Sequence, residues 1–262
     1  MVTMKSQINK PSALITGSVF IKRSLLHSSR NAEALIMAIA LPIMLMLMFT
    51  YVFGGAIDPS GHYVNYVVPG IILLCAGFGS SSIAVDVATD MTNGIIDRFR
   101  TMPIRSMNVI TGHVVASLVR NLLATSIVLI IALLVGFRPS ASVFSWFAVV
   151  GVIILFILTF TWLFAAIGLV ASTPAAASSY GFVLLFLPYL SSAFVPISTM
   201  PKWLQGIAEH QPITPVIETI RSLLMGKAAD SQVWWAVGWC LLILAVSIIW
   251  STWTFKRKAG RR

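Results

Sequence analysis

Charged residues are scarce in this sequence. Asp, Glu, Lys and Arg make up only 10% of the 262 residues, whereas 58% are hydrophobic. A soluble domain has about a quarter charged residues and about half apolar ones. The difference excludes an ordinary soluble protein and predicts an integral membrane protein.

The sequence also lacks the motifs that carry most catalytic chemistry. It contains no G-x-x-x-x-G-K-[ST] phosphate loop, no H-E-x-x-H zinc motif and no G-x-S-x-G nucleophile turn. None of the four histidines has a nucleophile partner at a matching depth. We therefore expect no enzyme activity, no metal site and no cofactor bound by this chain.

Cysteine is nearly absent, and the two residues of this type, Cys75 and Cys240, fall within apolar segments. We interpret them as small apolar fillers and not as a disulfide or a metal pair. Ionisable residues are missing from the middle of the apolar segments, where an ion-coupled carrier usually places them. Any transport work must therefore be driven by another chain.

Long apolar segments are what the sequence has instead. A bilayer core about 30 Å thick requires roughly 20 apolar residues at about 1.5 Å rise each. Backbone groups in lipid must be hydrogen-bonded internally, so the segments are predicted to be helices of an all-α membrane fold. Six segments qualify: Ala34–Gly54, Tyr66–Val85, Ala116–Gly136, Trp146–Leu169, Ser179–Ile197 and Trp234–Trp253.

The basic residues are unevenly placed. Of 18 Lys and Arg residues, thirteen lie before the first span, between the second and third, or after the last. Six spans put these regions on one side of the membrane, and the positive-inside rule makes that side, with both termini, cytoplasmic. The net charge of +10 thus indicates contact with anionic lipid head groups and not with nucleic acid.

One membrane domain is predicted, because no repeat or low-complexity tract divides the chain. The residues before it lack the apolar core of a signal peptide. Among them, Leu14, Ile21 and Leu25 form an apolar stripe beside basic residues, which indicates an interfacial helix; a basic anchor without further role is the alternative. The predicted parts are an amphipathic lead-in over 1–33, the membrane domain over 34–254 and a basic cytoplasmic tail over 255–262.

An acidic stripe continues the second span. At 100° per residue, Asp86, Asp90, Gly94 and Asp97 fall within about 80° of one another. A solvated helix face explains such a stripe, and pairing with basic side chains is the alternative. Arg120 lies inside the third span, where it should snorkel or meet an acid, and Asp86 is its nearest candidate. The acidic stripe could also pair with Arg23, with Arg30 or with a partner chain.

The charged stretch DRFRTMPIRS follows over residues 97–106. One helical face over 95–103 is apolar and the other is charged, and a proline ends the pattern. An aromatic ring and a methionine ringed by charges are typical of a docking surface; a loop lying on the lipid is the alternative. The candidate docking residues are Ile95, Ile96, Asp97, Arg98, Phe99, Arg100, Met102 and Pro103.

The fifth predicted span is interrupted by Pro188 and Pro196. The apolar segment that follows contains too much proline to cross the membrane, so we interpret it as two short helices that re-enter the outer leaflet. Glu218 and Arg221 are spaced for an i, i+3 pair, and Pro215 suits a first helical turn. The candidate residues of this segment are Pro201, Trp203, Pro212, Pro215, Glu218 and Arg221.

A methionine-rich and aromatic interior would suit a substrate path. Plain packing explains the same residues as well. Because the spans carry no fixed charge at their middle, such a path suits amphiphilic drugs or lipids better than sugars. The path candidates are Met44, Met48, Phe160, Trp162 and Tyr189.

Two stretches resemble one known family. The pattern D-x-x-x-G-x-x-D-R-F-R-x-M-P-I over 90–104 is similar to the cytoplasmic signature of permease subunits of type-2 ATP-binding cassette (ABC) exporters, in the daunorubicin-resistance branch of multidrug permeases. The pattern F-V-P-x-x-x-M-P-x-W-L-x-x-I-A over 194–208, followed by P-x-T-P at 212–215, is similar to that family's outer signature. His113 departs from the family, which more often has Arg or Lys there.

The resemblance implies two permeases, as a homodimer or with a paralogous permease, and two separate ATPase subunits that hold ATP and Mg²⁺. The segment 95–103 would be a coupling helix in a groove of the ATPase, and the lead-in a connecting helix at the cytoplasmic interface. Substrate would enter from the inner leaflet or cytosol and leave past the outer helices of a bacterial cell membrane. A stand-alone channel or carrier and a membrane enzyme are the alternatives.

Overall fold

A computed structural model describes residues 32–94, 107–184, 186–227 and 231–259. Every regular element in these ranges is helical, as the all-α prediction requires. Most of the lead-in and the last three residues of the basic tail lie outside them, so the roles of both parts stay predictions. The α-helices are α1 (Ala32–Leu47), α2 (Gly54–Ile57), α3 (Tyr63–Thr92), α4 (Met107–Val135), α5 (Val143–Val170), α6 (Pro174–Leu184), α7 (Lys202–His210), α8 (Ile213–Leu224) and α9 (Gln232–Ala259).

Five helices in the described part of the chain are long and apolar enough to cross a membrane. They correspond to the first four predicted spans and the sixth; the first is α1, which passes through a π-helix over Met48–Phe53 into α2. The predicted fifth span is not one helix, because α6 ends at Leu184 and a 3₁₀ turn follows over Leu187–Leu190. Pro188 lies in that turn and has no amide to donate. The predicted interruption is confirmed, whereas a sixth spanning helix is not.

The central helix is α3, the most buried of the five. It packs against α1, α4, α5 and α6. Small residues permit the close approaches: a Cβ at Gly79 would lie 1.6 Å from Oδ1 of Asn121, and a Cβ at Gly168 would lie 2.5 Å from the carbonyl oxygen of Ala84. Glycine at such crossings lets helices in lipid approach closely enough to pack backbone against side chain.

The last helix, α9, packs on α5. The hydroxyl of Thr159 in α5 donates to the carbonyl oxygen of Cys240 at 3.1 Å. Cys240 and Cys75 are both buried and free.

Several connections meet beside the first residue of α3. The amide of Arg138 donates to Oδ1 of Asn65 at 3.0 Å, and the amide of Ser140 donates to the carbonyl oxygen of Leu224 at 3.0 Å. The start of α3, the loop after α4 and the end of α8 therefore lie together. We call this the Tyr63 end of the molecule and the opposite one the Thr92 end.

The turn that leads into α3 has its own hydrogen bonds. The hydroxyl of Ser60 donates to Oδ1 of Asp58 at 2.6 Å, and the Ser60 amide donates to the same oxygen at 3.0 Å. These bonds lower the pKa of the Asp58 carboxyl below its ordinary value, because they favour the charged form. Gly61 has φ +77°, a left-handed conformation that glycine adopts without strain.

The two short helices predicted after the broken span are present as α7 and α8, and both are amphipathic. Pro212 directly precedes α8 and Pro215 lies in its first turn, where a missing amide costs no helix hydrogen bond. The apolar face of α8 is buried against the bundle through Ile213, Val216, Ile217, Ile220 and Leu224.

Candidate functional site at the two ends of the central helix

A side-chain pair joins α3 to α4 at the Thr92 end. Nε2 of His113 donates to Oδ2 of Asp90 at 2.9 Å, and both side chains are largely buried. The pair closes the helix hairpin just before the connection over 95–106. Sequence reasoning left the partner of Asp90 open and missed His113. One signal existed: the two residues lie at similar distances before and after the connection, as facing residues of an antiparallel hairpin do.

Arg120 also joins the two helices. Its guanidinium donates to the carbonyl oxygen of Gly79 at 3.3 Å and to the hydroxyl of Ser82. Asp86 is near enough for its charge to act on the guanidinium. The structure thus adds a backbone carbonyl and a hydroxyl as partners of Arg120, and a direct Asp86–Arg120 pair stays a prediction.

A buried polar cluster lies farther along α3 and reaches a third helix. The hydroxyl of Ser80 accepts from Nδ2 of Asn121 in α4 at 3.1 Å and from the hydroxyl of Thr161 in α5 at 3.2 Å. All three side chains are fully buried. Polar groups in lipid must find partners within the protein, so this cluster fixes how α3, α4 and α5 lie against one another.

The candidate docking segment begins just past the end of α3. The amide of Asn93 donates to the carbonyl oxygen of Thr89 at 2.9 Å, and Gly94 ends the helix with φ +66°. The docking candidates Ile95, Ile96, Asp97, Arg98, Phe99, Arg100, Met102 and Pro103 lie outside the described residues, and so does the last carboxylate of the acidic stripe.

At the Tyr63 end, two tyrosines of α3 bind the backbone of residues 192–194. The hydroxyl of Tyr66 donates to the carbonyl oxygen of Ser192 at 3.0 Å, and that of Tyr63 donates to the carbonyl oxygen of Phe194 at 2.7 Å. The three-residue spacing of the tyrosines puts both hydroxyls on one face of the helix. This face of α3 therefore holds the irregular segment that follows the 3₁₀ turn.

The same face of α3 touches the segment directly one turn farther on. A Cβ at Gly70 would lie 2.7 Å from Cβ of Ala193 and 2.8 Å from its Cα and carbonyl oxygen. Both residues are buried. Only glycine at position 70 permits this approach of helix and backbone.

Arg221 of α8 completes the arrangement. Its Nε and Nη2 donate to the carbonyl oxygen of Tyr66 at 3.2 and 3.1 Å, and Nη2 donates to that of Ser192 at 2.7 Å. Nη1 lies 2.5 Å from Oε1 of Glu218, as the i, i+3 spacing predicts. The guanidinium carbon also lies 3.8 Å from the centroid of the Tyr66 ring, a cation–π contact. One side chain thus links α8, α3 and the irregular segment.

A fourth side chain binds the segment from the loop before α8. Nε2 of Gln211 donates to the carbonyl oxygen of Leu190 at 2.7 Å. The carbonyls of Leu190, Ser192 and Phe194 therefore all accept bonds from side chains of other elements. Non-helical backbone persists within a membrane protein only where protein groups satisfy it, and these donors do so.

The predicted path residues separate into two groups. Met44, Met48 and Tyr189 are exposed, by 67%, 38% and 38% of their surface. Phe160 is 6% exposed and stacks in the core beside other rings of α5, and Trp162 is partly buried against the core. Tyr189 belongs to a series of rings in consecutive contact, formed by Phe53, Phe49, Phe194, Tyr189, Phe186 and Phe182.

The candidate residues of the short helices have unlike surroundings. Pro201 immediately precedes α7. Trp203 on α7 is 73% exposed, whereas Pro215 on α8 is buried.

Among the described residues, no three His, Cys, Asp or Glu side chains are grouped to hold a metal ion. What this arrangement provides is mechanical linkage between helices and an exposed aromatic surface.

Known proteins are similar in sequence to this chain over most of its length. The model of the ABC-2 type transporter family matches residues 18–225. The daunorubicin resistance ABC transporter permease protein DrrB1 of Streptomyces coeruleorubidus is 32% identical over 215 residues, which cover 81% of this chain and 74% of that protein. The probable doxorubicin resistance ABC transporter permease protein DrrC of Mycobacterium tuberculosis is 24% identical over 253 residues, covering 88% and 89%.

A further relative is the putative transport permease ycf38 of Cyanophora paradoxa, 27% identical over 213 residues that cover 78% of this chain and 72% of that protein. Apolar helices and these matches together define a helical membrane permease. The chain belongs to the ABC-2 type transporter family, which confirms the resemblance drawn from its two signatures.

Proposed function

We propose that this chain is the membrane-spanning subunit of an ATP-driven exporter and that ATP is hydrolysed, with Mg²⁺, on a separate subunit. Membership of the family and the permease names of its relatives support this function. The observation that carries it furthest is the construction of α3. This buried helix is tied to α4 and α5 along its Thr92 half and to an irregular segment at its Tyr63 end.

In this proposal the Thr92 end faces the cytoplasm of a bacterial cell, together with both termini. The excess of Lys and Arg in the regions assigned to that side supports the orientation. The segment from α6 through residue 197 takes the place of a fifth, broken span, and α7 and α8 dip into the outer leaflet. The buried apolar face of α8 favours such a position over a free outer loop.

Coupling to the ATPase is assigned to the segment 95–103. The pair between Asp90 and His113 supports this assignment, because it holds both ends of that connection in one place. A short amphipathic segment needs such fixed ends to keep its shape when it docks. Each of two permease copies would dock one such segment on one subunit of an ATPase dimer.

The substrate is proposed to be an amphiphilic drug or a lipid. The names of two relatives refer to daunorubicin and doxorubicin resistance. Here the exposed Met44 and Met48 lie on α1 and its π-helical extension, and the ring series joins that extension to the broken span. Aromatic and methionine surfaces bind flat apolar molecules of varied shape. We assign this surface to the substrate path and to contact with the second permease copy, whether identical or paralogous.

Reconstitution tests the proposal. Proteoliposomes containing the chain and its ATPase subunit should export a fluorescent anthracycline only with ATP, and liposomes with the chain alone should not. Phe99→Ala should lower drug-stimulated ATP hydrolysis, whereas Phe144→Ala, at a ring that is 86% exposed on α5, should not. Transport by the chain alone without nucleotide would contradict the proposal and favour a stand-alone carrier or channel.

A further inference from the structure

We propose that Arg221 is a positioning residue for export: it makes the segment 190–194 and α8 follow the Tyr63 end of α3. Displacement of α3 from its Thr92 end is thereby passed to the opposite face of the membrane. The inference rests on the proposed function, which supplies the displacement through the ATPase.

The partners of Arg221 are the first argument. Its guanidinium binds the carbonyl oxygens of Tyr66 in α3 and Ser192 in the irregular segment at 2.7 to 3.2 Å. A backbone carbonyl cannot turn away as a side chain can, so these bonds fix the separation of the two backbones. A planar fork with several donors suits this double contact, which a lysine ammonium does not reproduce.

The surroundings of Arg221 are the second argument. Its side chain is only 12% exposed, so water has little access to replace a lost bond. Moving α3 away from the segment would leave a guanidinium and backbone carbonyls without partners in a poorly solvated place, which is strongly unfavourable. Joint movement of α3, the segment and α8 keeps these bonds and is therefore favoured.

The sequence of α3 itself gives the third argument. Pro69 lies between Tyr66 and Gly70 and lacks the amide that would bond to the carbonyl of Asn65. A helix bends most easily at such an interruption. The contacts of Arg221 with Tyr66 and Ser192 lie on one side of Pro69, and the contact of Gly70 with Ala193 lies on the other. The segment is therefore held on both sides of this interruption, so the first turn of α3 and the segment move together when the Thr92 end is displaced.

A matched control exists at the same end. Arg138 donates through Nη1 to the carbonyl oxygens of Leu133 and Phe137 at 2.9 and 3.1 Å. Both acceptors belong to the end of α4 and the turn that follows it. Arg138→Gln therefore removes one positive charge from the Tyr63 end without separating α3 from α8.

The experiment uses the permease with its ATPase subunit in proteoliposomes. Spin-label pairs at Thr92 with Val170, and at Glu209 with Gln232, report distances at the Thr92 end and the Tyr63 end. ATP should change both distances in the unmodified protein. In Arg221→Gln the first distance should still respond and the second should not. Drug exported per ATP should fall at least about tenfold, because the variant loses several charge-assisted hydrogen bonds and each contributes about that factor. Arg138→Gln should behave as the unmodified protein.

Equal responses of both distances in Arg221→Gln, with normal export per ATP, would overturn the inference. If that variant does not accumulate, Arg221→Lys takes its place, since it keeps the charge beside Glu218 but loses the fork; a reduced response only at the Tyr63 end supports the inference, and a normal one overturns it. If Arg221 only stabilised the fold, Arg221→Gln would reduce the ATP response of both distances together with ATP hydrolysis, and that result would also overturn the inference. Absence of any ATP response in the unmodified protein would instead defeat the proposed function.

Discussion

The two ends of α3 are held by different kinds of contact. At the Thr92 end, Asp90 and His113 bind through their side chains, so the link depends on two particular residues. At the Tyr63 end, the hydroxyls of Tyr63 and Tyr66 and the guanidinium of Arg221 bind backbone carbonyls. The link at the Thr92 end therefore depends little on the neighbouring backbone. The bonds at the Tyr63 end depend little on which residue supplies the accepting carbonyl.

This difference has a physical cause. The Thr92 end joins two regular helices whose backbone groups are already bonded within each helix, so the link at that end forms between the side chains of Asp90 and His113. The Tyr63 end faces a segment without regular helix, whose carbonyls need donors. The donors were supplied by α3, α8 and the loop before α8, and the segment is thereby joined to all of them.

The largest expected effect comes from filling the contact between Gly70 and Ala193. Gly70→Val places side-chain atoms where the backbone of the segment lies, and overpacking of this kind costs about 1–3 kcal/mol or more. We expect a clear fall in the midpoint of thermal unfolding in detergent. Gly151→Val on α5, where a Cβ meets nothing within 4 Å, is the control and should change the midpoint little. Equal loss in both variants would show that the approach of α3 to the segment does not matter.

A smaller effect is expected at the opposite end. His113→Ala leaves Asp90 without its imidazole partner, at a cost of about 1–3 kcal/mol for a largely buried polar group. The same change should weaken binding of the ATPase subunit, since the hairpin that carries 95–103 loosens. His113→Arg, which keeps a donor for the Asp90 carboxylate, should restore both. Pull-down of the ATPase and thermal unfolding measure the two effects; unaltered binding in His113→Ala would separate the pair from docking.

Removing a single tyrosine hydroxyl tests the backbone contacts more gently. Tyr66→Phe loses the bond to the carbonyl of Ser192 but keeps the ring beneath Arg221, so the loss should be about 1 kcal/mol. Because Arg221 still donates to the same carbonyl, the segment should stay in place. Tyr180→Phe, at an exposed tyrosine of α6, is the control. Hydrogen exchange of the amides over 190–195 should rise only in Tyr66→Phe.

The smallest effect concerns the turn before α3. Ser60→Ala removes the hydroxyl that donates to Asp58, so the lowered pKa of this carboxyl should move back up toward its ordinary value. A depressed carboxyl pKa contributes stability above the unfolded value of about 3.9 and loses it as pH falls through the folded value. The variant should therefore differ from the unmodified protein only at neutral pH and not in strong acid. Carbon-13 NMR of the Asp58 carboxyl measures the shift, and an unchanged pKa would contradict the assigned cause.

Periodicity and composition predicted the helices well, because an apolar stretch of sufficient length has few alternatives in lipid. The pair between Glu218 and Arg221 was equally accessible, since both residues lie on one helix at a spacing that sets their distance. The interruption at Pro188 follows from the missing amide of proline. Each of these features depends on residues a few positions apart.

The contacts that join separate helices could not be predicted from such local patterns. Asp90 and His113 are 23 positions apart, and Tyr66 and Arg221 are 155 positions apart. A helical wheel shows which residues share a face and does not show which neighbour that face meets. For the same reason Phe160 could be assigned to a substrate path from its type alone, although the structure places its ring in the core.

Sequence alone determined that this protein lies in a membrane and where most of its helices form, because these properties follow from the local balance of apolar surface and backbone hydrogen bonds. Only the tertiary structure decided that one buried helix would bind a helix partner by side chains at one end and an irregular backbone at the other. That choice depends on how closely glycine positions allow helices to approach, and such approaches exist only once the helices have packed.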